Sequence, residues 1–421
     1  MNTQQIPVRD TDVLIVGAGL AGLAAAHRLR SGGLRVDIAE ASDRIGGRAF
    51  GWFWPEAGRM IELGGTWILP GFREVRALVE EFGLELFDSP DTAASLVHFR
   101  DGVAPMATPG EDGVRGLEMA LQTLRELPGT TAGTAADALG RAGLDPWVHD
   151  WMTATQRYLA GAPLTDIDAR HLLLDLDELA DPEHYKAQLH GTTAALAAAL
   201  FGASGAALHL DAAVTTVERT ATGFITTSGV GAFTSIAVIL AVPLNTMATI
   251  DFDHTVLGGV SPFVRDGHPG ASRKDWFVLD GVVEHCRVFA SEGLFGYFRT
   301  ERRLKDGGML AVGLAPAAEG KPTVDDFEEQ IREYIPSATV RAHTSHDWEA
   351  DAWARGTWIA PPAGFYDALA GMPADSAGLH VAGGDLSADF PGTLEGAVAT
   401  GRRAAESVLH TIHYQKTGVR S

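Results

Sequence analysis

Gly17, Gly19 and Gly22, followed by a carboxylate at Glu40, are the residues of this chain whose types and spacing best suit chemistry. In that order they fit the pyrophosphate and the ribose of a bound dinucleotide. Gly17 allows a tight turn, Gly19 lets the backbone approach the phosphates, and Gly22 lets a helix pack closely on a strand. A helix starting at Leu20 and Ala21 would aim its unpaired N–H groups at the negative charge. Glu40, with Ala41 beside it, lies about 20 residues past the turn, where a carboxylate can accept hydrogen bonds from ribose hydroxyls.

Such a motif needs a buried strand, a glycine turn and a helix. The apolar run at residues 13–16 predicts the strand, apolar residues at helical spacing over 20–29 predict the helix, and residues 35–39 predict a second strand ending at Glu40. Arg44-Ile-Gly46-Gly47-Arg48 follows, and a guanidinium there is apt for phosphate. In Met60-Ile-Glu62-Leu-Gly64-Gly65-Thr66-Trp67 a strand enters a glycine pair that lets the chain lie flat against a planar ring. Residues 114–200 read mostly helical, with stretches at 116–127, 146–158 and 193–200 that suggest a helical cap. Strands follow from Ala207, and residues 235–241 are apolar on both faces, which predicts completion of the first parallel sheet. A second sheet with helices is expected over 251–375, including a helix at 325–334. The pattern of strand, glycine turn and helix returns at Leu379-His-Val-Ala-Gly383-Gly384-Asp385 and in the segment from Phe390 to Gly401.

Composition narrows the class. A chain of 421 residues, 46% hydrophobic, can bury two cores rather than one. Its net charge of -21 argues against nucleic acid and anionic membrane surfaces. Cys286 is the single cysteine, so there is neither an internal disulfide nor a cysteine metal cluster. The polar first eleven residues lack a secretory pattern, and no long uncharged apolar stretch is present, so a cytoplasmic location is expected. The spacing of His171, His184, Tyr185 and His190 makes no metal set. Hydrolysis by a serine triad finds no Gly-x-Ser-x-Gly elbow.

Taken together, Glu40, the run from Arg44 to Arg48, the Gly64-Gly65 pair and the Gly383 to Gly401 segment resemble the flavin-containing amine oxidase family. Ala241-Val-Pro-Leu-Asn-Thr, His346-Asp-Trp and Arg355-Gly-Thr-Trp358-Ile-Ala-Pro-Pro-Ala-Gly364 look especially like bacterial 6-hydroxynicotine oxidases. The resemblance implies an α/β fold: a discontinuous FAD-binding Rossmann-like domain of the glutathione reductase and p-hydroxybenzoate hydroxylase type, plus an α+β substrate domain with a helical cap. The FAD-binding domain would comprise 1–88, 203–250 and 376–421, and the substrate domain 89–202 and 251–375.

By the same resemblance Gly47 and Arg48 face the FAD phosphates, and Gly384 and Asp385 meet the phosphate or the ribityl chain. Leu394, after Thr393, offers its N–H to the isoalloxazine, and Val214 meets the adenine through its backbone. Thr357 stands where covalently flavinylated relatives carry cysteine, which implies non-covalent FAD. Thr393 stands where many relatives carry tyrosine, so half of the usual aromatic cage is missing. Lys274 matches the family lysine that holds a water near flavin N5 and assists reoxidation by oxygen. Trp358 would stand at right angles to the flavin and pack on the substrate, with Trp67, Thr393 and Tyr185 completing the pocket.

The reaction implied moves hydride from the α-carbon of a secondary, tertiary or cyclic amine to N5, giving an imine, with O2 reduced to H2O2. The partners are then a small-molecule amine and O2, with no nucleic acid, membrane or metal, and a homodimer as the candidate assembly. Two alternatives keep the fold: a carbon-carbon desaturase like the carotenoid and protoporphyrinogen oxidases, which would need a long apolar tunnel, or a non-catalytic flavoprotein scaffold.

Overall fold

In the computed structural model, which describes residues 7–90, 94–106, 133–174, 187–315, 320–373, 377–417 and a few positions between 119 and 126, the strand Val13–Val16 lies at the centre of a parallel sheet. The sheet runs in the order Ala207–His209, Val36–Ala39, Val13–Val16, Ala237–Leu240, Leu379–Val381. A strand covered on both faces must be apolar at every position, and alternation then sorts its residues between two cores. Val13 and Ile15 face the helices Leu20–Leu29, Thr193–Ser204 and Leu394–Thr417, whereas Leu14 and Val16 face a second core containing Phe224 and Phe233. Those two phenylalanines belong to a four-stranded sheet formed by Val8–Asp10, Gly231–Ser235, Phe224–Ser228 and Val214–Arg219.

The second large sheet has seven strands in the order Thr339–Ser345, Arg273–Asp280, Met309–Ala315, Tyr297–Arg303, Cys286–Ala290, Ala94–Phe99, Gly102–Pro105. All pairings are antiparallel except Cys286–Ala290 with Ala94–Phe99. One face carries Phe277, Phe298 and the helix Val324–Tyr334. On the other face the register aligns Lys274 with Leu314, Leu314 with Tyr297, and Tyr297 with Phe289. Opposite residues of an antiparallel pair share a face. This row packs against Trp151 and Tyr158 of the helix Pro146–Leu159, so Lys274 is delivered to the space between the two sheets.

Three sequence-based expectations need adjustment. The helix Thr193–Ser204, read with the cap, instead packs Leu196, Ala197 and Leu200 against the core under the helix Leu20–Leu29, since its alanines permit a close approach. The hairpin Gly51–Trp54 with Arg59–Glu62, read with the dinucleotide unit, sends Trp54 and Ile61 onto Trp276, Val278 and Leu310 of the seven-stranded sheet. The seven-stranded sheet also takes two strands from residues 94–105, which periodicity left unassigned. The helical stretch 116–127 falls largely outside the described residues, as do His184 and Tyr185. Among the described residues no helix is long and apolar enough to cross a membrane.

Candidate active site

A single cavity of about 1400 Å³ runs between the two sheets. Its lining includes Gly17, Gly19, Glu40, Ala41 and Val214 around the first turn, Gly47, Arg48, Gly64 and Gly384, and also Trp67, Lys274, Leu314 and Trp358. Leu20, Ala21, Gly65, Thr66, Thr393 and Leu394 also reach it. Residues from both ends of the sequence thus line one space.

The three glycines of the first turn have separate tasks. Gly17 holds a φ of 102°, and a Cβ there would sit 2.6 Å from the Ala241 carbonyl oxygen, so only glycine serves. Gly22 does not line the cavity: a Cβ on it would collide with the Gly17 carbonyl, so it serves the helix-on-strand packing expected of it as part of the cofactor turn. Gly19 has an ordinary extended backbone at the start of the helix, and a Cβ on it meets nothing within 4 Å. That emptiness is the cradle a phosphate would fill.

Glu40 is buried and already organised. One carboxylate oxygen accepts from Ala18 N–H at 2.6 Å, the other from the N–H and Oγ of Ser42 at 2.9 and 2.8 Å. These bonds fix the carboxylate at the rim of the turn, where a further donor can reach its remaining lone pairs.

Arg48 and Asp385 form a bidentate pair with both N···O distances at 2.8 Å. Asp385 also accepts from Leu244 N–H at 3.1 Å and is 1% exposed. Burial opposes its charge, yet the Arg48 guanidinium holds its carboxyl below the usual carboxylate range. The aspartate was expected to touch the cofactor directly, but it does not line the cavity; its charge is spent on Arg48, which does. Nearby His268 is pushed down to about 4 by burial, and its Nδ1 accepts from Gly270 N–H at 3.1 Å as a neutral imidazole must.

Lys274 is 6% exposed, with its Nζ donating to the Gly64 carbonyl and to Thr66 Oγ1 and lying 5.4 Å from the centre of the Trp67 ring. Burial lowers its pKa, and the carboxylates of Glu62 and Glu301 oppose that fall. A surface lysine would have none of these features.

Trp358 donates its indole N–H to the Leu159 carbonyl, which ties it to the cap helix. Its neighbour Thr357 is also tied down: the hydroxyl accepts from Ser272 N–H at 3.1 Å and the carbonyl from Arg48. The hydroxyl of Thr393 accepts from Gly396 N–H at 3.1 Å and donates to the Phe390 carbonyl, so this residue caps the C-terminal helix as well as lining the cavity. Leu394 packs over Gly65, where a Cβ would meet its Cδ2 at 2.8 Å.

Sequence reasoning missed Tyr158, Leu314 and Phe390 as cavity residues and weighed His171 as a metal ligand. His171 lines the cavity with its Nδ1 3.0 Å from the hydroxyl of Tyr366. Helical periodicity puts Tyr158 on an apolar face, but only the register of the distant sheet says what that face meets.

A family model described as flavin containing amine oxidoreductase matches residues 20–409. The chain belongs to that family. It is 27% identical to a nicotine dehydrogenase of Pseudomonas putida over 95% of this chain and 88% of that one. It is 24% identical to the (S)-6-hydroxynicotine oxidase of Paenarthrobacter nicotinovorans over 95% of this chain and all of the relative. Putrescine oxidase bound to putrescine shares the fold with a TM-score of 0.84 at 20% identity, covering 96% of this chain and 100% of that one. Cyclohexylamine oxidase from Brevibacterium oxydans does so with a TM-score of 0.80 at 20% identity, over the same shares of the two chains. The mixed α/β fold with its Rossmann-like parallel sheet is therefore that of the flavin amine oxidoreductases, and the chain is a flavin-dependent oxidoreductase of amines.

Proposed function

We propose that the cavity holds FAD non-covalently and that the enzyme oxidises a secondary, tertiary or cyclic amine to its imine, or to the iminium ion where the nitrogen is tertiary, with O2 reduced to H2O2. The observation that carries this reading is the buried Lys274 ammonium, which lies beside Trp67 and lines the same cavity as the Gly19 cradle and Trp358.

The residues present fit FAD. Gly17, Gly19 and Arg48 would hold the pyrophosphate, Glu40 the ribose hydroxyls, Val214 the adenine, and Gly64, Gly65 and the Leu394 N–H the ring system. A thioether to the flavin has no partner here, because position 357 is threonine and Cys286 is buried in the core of the seven-stranded sheet. When bound, the flavin supplies the two-electron acceptor for the carbon-hydrogen bond beside the amine nitrogen.

The protein supplies the rest. Trp358 and Trp67 form apolar walls that favour the neutral amine and hold its reacting carbon in place. The Lys274 ammonium offers a fixed positive charge, and through its hydrogen-bonding protons a place for an ordered water, where oxygen takes on negative charge. The names of the relatives agree with a cyclic amine, since nicotine is one.

An amine panel read by peroxide release, repeated anaerobically by bleaching of the yellow colour, tests this. Bleaching with peroxide supports the oxidase; bleaching without peroxide assigns a dehydrogenase with another acceptor. Failure to bleach with every amine would sink the reading and return the scaffold alternative.

A further inference from the structure

Glu62 is among the least expected residues of the site. It is a carboxylate with 5% exposure at the end of the strand Arg59–Glu62, two residues before the glycine pair. Its two oxygens accept from the N–H and the Oγ1 of Thr193, both at 2.7 Å. Thr193 is the first residue of the twelve-residue helix Thr193–Ser204, so the carboxylate sits on a helix N-terminus, where the backbone field favours a negative charge.

The same short segment reaches Lys274. The ammonium donates to the Gly64 carbonyl and to Thr66 Oγ1, and the Thr193 hydroxyl that serves Glu62 lies 3.3 Å from the Gly65 carbonyl. Carboxylate and ammonium are thus both tied to one short stretch of chain, residues 62 to 66. The other charged groups near Lys274 are accounted for. Asp275, on the opposite face of the strand, binds Arg273 and His343. Glu301, which also acts on Lys274, has its charge met by Arg299 at 3.1 Å and accepts from Ser89 and Gln188. The Glu62 carboxylate accepts from neutral groups of Thr193, and the cation whose charge acts on it is Lys274.

We propose that Glu62 is a positioning residue for Lys274: anchored on the helix N-terminus at Thr193, its carboxylate keeps the buried ammonium charged and turned toward the Gly64 to Thr66 edge of the cavity. This rests on the reading of Lys274 given above. Burial raises the carboxyl of Glu62 and lowers the ammonium of Lys274, and each charge pulls the other back toward its ionised form, so loss of either must show in the titration of its partner.

The test uses holoenzyme carrying 15N-labelled lysine side chains, with K274M identifying the Lys274 signal. In E62Q the titration midpoint of Lys274 should fall by about one pH unit, a tenfold loss of proton affinity, or more. The pH at which reoxidation by oxygen slows should fall with it, and E62D should recover part of the shift. E301Q, whose carboxylate already has Arg299, should move the midpoint less than E62Q does. A midpoint unchanged in E62Q, or a larger shift in E301Q, overturns the inference. Where E62Q does not fold, K274M reads the same coupling from the other side: the infrared band of the protonated Glu62 carboxyl should persist to higher pH, and an unshifted band overturns the inference. A normal oxygen reaction in K274M would instead defeat the functional reading of Lys274, whatever Glu62 does to its titration.

Discussion

Arg48 and Asp385, 337 positions apart in the sequence, are joined beside the cavity by two parallel N–H···O bonds of 2.8 Å. The pair fastens the glycine-arginine run after Glu40 to the glycine turn before the C-terminal helix. Breaking a buried pair leaves one charge uncompensated and costs about 3 to 5 kcal/mol. Asp385→Ala should therefore lower the unfolding free energy by an amount near the lower end of that range, since the Arg48 side chain keeps 25% of its surface exposed. It should also release flavin more readily. Denaturant unfolding followed together with flavin fluorescence checks both. Unchanged stability in Asp385→Ala would show that the pair is not a fastening.

The turn glycines separate folding from binding. Gly19→Val should give a folded, colourless protein, because its side chain enters only the space left for phosphate. Gly22→Val should fail to fold or lose several kcal/mol, because its side chain meets the Gly17 carbonyl. Circular dichroism and the visible spectrum of the two variants distinguish these outcomes. A yellow Gly19→Val protein would refute the placement of the cofactor at this turn.

Lys274→Met should slow reoxidation of the reduced enzyme by roughly a hundredfold while changing substrate affinity much less, if the ammonium stabilises charge developing on oxygen. Burial pushes Lys274 down to about 8, so its charge is present below that pH and lost above it. The oxygen reaction of the unmodified enzyme should accordingly slow as pH rises through about 8, and that of Lys274→Met should be flat there. Stopped-flow reoxidation across pH 6 to about 10 measures both. A wild-type rate in Lys274→Met removes the residue from the reaction.

Thr393→Tyr should narrow the accepted amines toward small, flat ones by adding an aromatic wall to those of Trp358 and Trp67. It should also cost about 1 kcal/mol, because the hydroxyl that accepts from Gly396 N–H is lost with the threonine. Thr393→Ala shares the loss of the cap without adding the wall, so it should share the stability change and keep the broad range. Trp358→Ala should lose most activity on every accepted amine. The check is kcat/KM over a size-graded amine series, with thermal unfolding of each variant. The same size profile in Thr393→Tyr and Thr393→Ala would mean that position 393 does not shape the pocket.

Local sequence carried much of the frame. Val13 to Val16 had to be a central strand because every residue is apolar, and the glycine spacing with Glu40 fixed the turn, the helix and the second strand within a residue or two of where they lie. The closing helix and its preceding glycine turn were equally legible, since Gly392, Gly396 and Gly401 are costly in a helix unless a close contact needs them. Such signals are local, and each is complete within about twenty residues.

The substrate end depended on relations between distant segments. That Lys274 is buried follows from its row with Leu314 and Tyr297, a register no periodicity reveals. Tyr158 and His171 joined the cavity because the cap folds over that row. Asp385 proved to hold Arg48, and Thr393 to cap a helix, because a side chain's partner is set by which backbone arrives beside it. By itself the sequence determined the glycine turn of a Rossmann-like sheet and the family to which the chain belongs, for those are written in backbone freedom and burial. Only the tertiary structure decided which charges face the cavity and which face each other, because electrostatic partners are chosen by distance in space and not by distance along the chain.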